Sequence, residues 1–226
     1  MNVISYSSAR VTWLFQLEEV LPLKRSSINL YELIAERYSF SQSPSPSTTT
    51  PEQMARDGLT FALGKFLFEN NVVPITEFKV FNDGMVATAS TSDVSDAFLI
   101  DLTQWLQSQH GFRDFSSPVR ELCLSEVTVE FERPLSRLIA AYEAISTALS
   151  MNIGPLFGTS EAVQLARMDF GLDPSSPNVK VAGPRFVLER RSGVSFDQER
   201  YFSSAPLSTE NHISLLRLIE QHLSQS

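Results

Sequence analysis

The chain has 226 residues, 42% hydrophobic and 19% charged, which suits one large domain or two small ones with an ample core and excludes a disordered chain. The formal net charge of -8 argues against nucleic acid, and the single Cys123 excludes an internal disulfide or a thiolate metal cluster. No apolar run approaches the ~20 residues of a membrane span, and the first residues show no basic region before an apolar core, so a soluble cytoplasmic protein is expected.

In chain order, "RVTWLFQL" alternates, with Val11, Trp13, Phe15 and Leu17 on one face, and predicts a strand. "SSINLYELIAERY" predicts a helix capped by Ser27, with Tyr31, Ile34, Ala35 and Tyr38 on one face. Residues 41–51, "SQSPSPSTTTP", carry no charge and no large apolar group, and are expected to form a mobile surface loop. "LTFALGKFLFE" and "ITEFKVF" predict strands with one face partly open to water.

"VFNDGMVATASTSD" combines two carboxylates, a glycine and a row of hydroxyls. A calcium loop would place oxygen ligands at alternate positions and end in Glu. That pattern is absent, so Asp83-Gly84 reads as a hairpin turn and Ser92 with Asp93 as the start of a helix over 93–109. Val94, Ala97, Phe98, Leu102 and Trp105 share one face of that helix, Asp101 falls among them, and Gly111 stops it. A carboxylate on an apolar face needs a partner, or sits at the edge, or serves a pocket.

"LCLSEVTVEF" predicts another strand, with Glu126, Thr128, Glu130 and Glu132 on a solvated face. From Leu135 to Ile153 the only charges are Arg137 and Glu143, which predicts a helix buried on most sides, started by Pro134 and broken by "GPLFG". Ala140, Ala144 and Met151 line the side opposite its main stripe, a candidate interface. Strands are expected near 162–170, 179–182, 185–191 and 200–204, and a last helix carries Leu215, Leu216, Ile219 and Leu223 inward.

The resulting order is β-α-β-β-β-α-β-α-β-β-β-α. It predicts a single α+β domain, a largely antiparallel sheet packed by about four helices, with a weak βββα duplication between 58–109 and 160–224. The three histidines, His110, His212 and His222, do not suggest a metal site. Cys123 lies mid-strand with nothing to lower its pKa. No nucleophile elbow, P-loop or dinucleotide turn is present, so no catalytic residue and no cofactor is assigned.

Three functions remain open. A non-catalytic interaction subunit, self-associating or joined to another protein, is expected from the phenylalanine content and the sparsely charged helix. A ligand sensor or enzyme would hold a pocket between sheet and helices, with Asp101, Tyr142 and Arg185 as its polar groups. Weak nucleic-acid binding would use 180–200, where five basic residues meet three acids and Arg190 and Arg191 stand together as anion or partner contacts. The partner expectation is a protein or a second copy, with nucleic acid unlikely and no membrane.

Overall fold

Period-two alternation produces the strands and period-3.6 stripes the helices of the computed structural model, which describes residues 1–22, 30–44, 56–139, 142–157, 160, 162–173 and 185–225. The described strands are β1 (Asn2–Leu14), β2 (Leu59–Phe68), β3 (Asn71–Phe81), β4 (Gly84–Ala89), β5 (Arg120–Glu130), β6 (Arg167–Phe170), β7 (Phe186–Arg190) and β8 (Arg200–Ala205). The described α-helices are α1 (Leu17–Val20), α2 (Leu30–Arg37), α3 (Ser92–His110), α4 (Tyr142–Phe157) and α5 (Thr209–Gln225). The class is α+β with a large antiparallel sheet.

The chain divides into two compact units. One holds residues 7–125 with 206–209, the other residues 1–6, 126–205 and 210–226. Strand order is β2-β3-β4-β1 in one run and, mirrored in sequence, β6-β7-β8-β5 in the other. Each run is followed by a long helix, α3 or α5. The repeat therefore begins one strand and one helical segment earlier than βββα.

In the 7–125 unit, β3 and β4 form the expected hairpin, with Phe81 opposite Gly84. Gly84 has φ +154, and a Cβ there would lie 2.1 Å from the Trp13 carbonyl oxygen. The glycine is thus required by both backbone angle and close approach. Thr91, one residue before the expected cap, accepts from the Val94 amide at the start of α3. Ser92 and Thr209 exchange reciprocal bonds, each hydroxyl accepting the other's amide at 2.9 Å. Gly111, at φ +68, closes α3 as expected.

The alternation of β2 breaks at Leu63, whose φ is +57. Phe61 is buried before it and Gly64 after it, so the inward face changes phase. At Gly64 a Cβ would lie 2.4 Å from the Phe40 ring, which leaves room only for glycine as the ring stands.

Two expectations for 134–153 need correction. Residues Leu135–Leu138 form a 3-10 turn, and Ile139 is extended, so the α-helix starts only at Tyr142. It runs past Gly154 and Pro155 to Phe157, although Pro155 has no amide hydrogen to donate within it. None of the described α4 side chains is buried, and Met151 is 74% exposed. The reason lies on its serine side. Ser146 donates to the Val163 carbonyl at 2.6 Å, and the Ser150 hydroxyl accepts the Val163 amide at 2.8 Å. With that docking, Ile145 and Leu149 on one side and Ala144 and Met151 on the other are exposed.

Ser27, the strand expected at 179–182, and residues 45–51 of the expected loop lie outside the described residues. Gln42, at the loop's start, bridges to Ala62.

Candidate functional site

Cross-strand partners point to the same side of a sheet, so the register fixes two rows facing the helices in the 7–125 unit. Leu59, Val80, Met85 and Trp13 form one, and Phe61, Phe78, Ala87 and Val11 the next. Above the second row, α3 lowers Phe98 into a ring cluster. Phe98 stands edge-on to Phe78 at 5.3 Å and to Tyr38 at 4.8 Å, and Phe40 lies 5.4 Å from Phe61.

Above the first row the packing opens. A cavity of about 740 Å³ has Leu59, Val80, Met85, Phe61 and Phe78 as its floor. Leu30, Tyr31 and Ile34 of α2 and Leu102 and Leu106 of α3 cover it, with Leu17 and Glu18 of α1 and Leu21 just after it at one side. Phe112 and Asn82 complete the wall. Glu18 and Asn82 are exposed, and Tyr31 is half-buried, so the polar groups sit toward the rim. Arg113 braces this rim, donating Nε to the Leu21 carbonyl at 3.0 Å and Nη2 to the Glu18 carbonyl at 2.7 Å.

Asp101 lies on the flank of α3 and does not line the cavity. It accepts from the Tyr38 hydroxyl at 2.6 Å and from Arg37 Nη2 at 3.0 Å. Burial, reinforced by the Asp101 carboxylate, holds the Tyr38 hydroxyl protonated well above its ordinary range. Arg37 also covers the Trp105 ring at 4.9 Å. The carboxylate is therefore occupied by structural partners. Asp96, on the same helix, accepts from Trp13 Nε1 at 3.0 Å, and burial raises its pKa against that bond. Burial, with Glu121 beside it, pushes the Cys123 thiol up to about 12, which keeps it protonated at neutral pH.

Tyr142 and Arg185 belong to the other unit. The Tyr142 hydroxyl accepts the Leu165 amide at 3.4 Å, and the Arg185 stem packs on Gly171. Of the two arginines expected to meet anions, Arg191 is exposed and Arg190 is committed. Arg190 pairs with Glu199 at 3.2 Å, donates to the Leu165 and Phe196 carbonyls, and lies over the Phe196 and Tyr201 rings. Of the expected interface residues, Ala144 and Met151 are exposed, and Ala140 lies outside the described residues.

The same unit buries a serine beside a histidine, without catalytic geometry. Ser203 Oγ donates to the Val187 carbonyl at 2.9 Å, which uses its only proton. The 2.8 Å contact with His212 Nε2 must then run from Nε2–H to the serine. His212 is the donor, so it cannot take a proton from Ser203. Burial lowers its pKa to about 4.

Among the described residues no group of three or more metal-binding side chains converges, and no helix is long and apolar enough to cross a membrane. The cavity lining was not assembled from sequence. Leu59, Phe61, Phe78, Val80 and Met85 read as strand core, and nothing in their spacing distinguishes a filled interior from a hollow one.

No family model matches the chain, and no curated protein matches it. Among solved structures, the Methanococcus jannaschii TBP is similar at 14% identity and a TM-score of 0.43, covering 97% of each chain. The likeness concerns the α+β fold. The partner expectation of a protein or second copy with nucleic acid unlikely is corrected on that last point. Net charge sums every ionised group and carries no information on the shape of a sheet face, so it is insufficient ground for that exclusion.

Proposed function

We propose that the protein is a binding module for a small, largely apolar ligand, held between the sheet and the helices of the 7–125 unit. The cavity is the observation that supports this. Its volume of about 740 Å³ falls within the ~300–1,000 Å³ typical of small-molecule sites. Its walls are leucine, isoleucine, valine, methionine and phenylalanine, with a few polar groups at one edge. An interior normally packs with few voids larger than a water molecule, so a space of this size is costly unless something fills it. The polar groups at the rim would orient a ligand, and the apolar walls would supply most of the affinity. The apolar walls suit binding, and among the described residues the floor is formed by Leu59, Phe61, Phe78, Val80 and Met85.

The test is fluorescence titration with neutral N-phenylnaphthylamine, which brightens in apolar surroundings. The wild-type protein is expected to bind it saturably with one site. Met85→Phe and Val80→Phe, each adding bulk to the floor, are expected to weaken binding at least about tenfold, which is about 1.4 kcal/mol. Unchanged circular dichroism in either variant establishes that the fold is kept. No saturable binding by the wild type, or equal binding by both folded variants, would contradict the proposal.

A further inference from the structure

Resting on that ligand-binding reading, we infer that Met85 is an end wall of the cavity and sets the length of the apolar chain that the site admits. The floor shows where the space stops. Leu59, Val80, Met85 and Trp13 are cross-strand partners in one row over β2, β3, β4 and β1. Among the described lining residues Leu59, Val80 and Met85 are present and Trp13 is not. The hollow part of the row therefore spans two strand spacings of ~4.8 Å and ends on the Met85 side chain.

Beyond Met85, toward β1, lies a second space of about 20 Å³, room for about one water-sized group. Leu17, Met85, Leu106 and Phe112 line both spaces, so they form the partition between them. Phe15 and Phe115 bound the smaller space, and the Phe115 ring stands edge-on to Phe15 at 4.9 Å and to Trp13 at 6.1 Å. Of the four partition residues, Met85 alone belongs to the floor row. The internal repeat supplies an independent reason to single it out. The inward position of Met85 on β4 is taken on β8 by Tyr201, whose ring is fully buried in the core of the other unit. The side chain at this one position thus differs between the hollow unit and the filled one.

The experiment is displacement of N-phenylnaphthylamine by straight-chain alcohols from hexanol to tetradecanol, each kept below its solubility limit. All carry one hydroxyl head, so the rim contributes equally and only length varies. Wild-type affinity is expected to rise about fourfold with each buried methylene and to stop rising at a limiting length. Met85→Ala, which removes the wall beyond Cβ, is expected to move that limit by about two carbons or more. Met85→Val keeps a strand-favouring residue and is expected to move it in the same direction, which preserves the test if Met85→Ala loses the circular dichroism of the fold. Val80→Ala, in the middle of the same row, is expected to leave the limit in place. A limit unmoved in a folded Met85 variant, a Val80→Ala shift as large, or a wild-type affinity that rises without limit would overturn the inference and leave the ligand-binding reading standing. If neither the probe nor any alcohol binds saturably, the ligand-binding reading itself falls.

Discussion

Met85, Ala87 and Ala89 on β4 hold the same inward positions as Tyr201, Ser203 and Ala205 on β8, and both strands lead into a long helix. The interiors above them differ. In the 7–125 unit the small and flexible residues leave a cavity beside a cluster of phenylalanines. In the other, Tyr201 fills the space, donating to Glu199, which pairs with Arg190, while Ser203 engages His212. One half of the repeat spends its polar groups on its own core, and the other keeps an apolar interior with polar groups at the rim. The order of elements can therefore be held constant while the interior is made either self-satisfied or hollow.

The comparison can be broken most forcefully at its two cores. Phe78→Ala is expected to cost about 3–5 kcal/mol in urea unfolding, because it hollows the ring cluster. Arg190→Ala should cost about 1–3 kcal/mol by leaving the half-buried Glu199 without its cation and the Leu165 and Phe196 carbonyls without their donor, whereas exposed Arg191→Ala should stay within about 0.5 kcal/mol. Equal effects at 190 and 191 would show that the polar core is not what holds that unit.

The next effect is in pH. His212 has a folded pKa of about 4, below the ~6.5 of an unfolded histidine, so the unfolded chain takes up a proton first as pH falls. Its share of stability is complete above about pH 6.5 and is lost on the way down to about pH 4, a change on the order of 2–3 kcal/mol. His212→Gln should remove that slope in denaturant midpoints measured across the same window. A slope that persists in the variant would assign it to other groups. Apart from the Arg191→Ala control, the smallest effect is at the α3 cap, where Thr91→Ala should cost about 0.5–1 kcal/mol, given the long 3.5 Å bond to Val94.

Much of the fold was legible in the sequence. The Asp83-Gly84 hairpin, the hydroxyl-rich start of α3 and the Gly111 stop are set by local backbone chemistry, which a sequence displays directly. The class followed from the order of strands and helices. What escaped depends on partners distant in sequence. Asp101 could be flagged as a carboxylate on an apolar face, but Arg37 and Tyr38, which satisfy it, lie more than sixty residues away. Leu135–Ile153 read as a buried helix because hydrophobicity alone was weighed, whereas Ser146 and Ser150 decide which side docks. The cavity was least legible. A void is a property of how rows from β2, β3 and β4 meet α2 and α3, and each row by itself reads as ordinary core.

The most direct measurement is methyl-resolved NMR of the protein titrated with dodecanol. Saturable shifts are expected at Leu30, Leu102, Leu106 and Met85, with Leu188 and Leu216 of the polar-cored unit unmoved. Shifts confined to Leu188 and Leu216, or no saturable shift at the cavity methyls, would contradict a ligand site in the 7–125 unit.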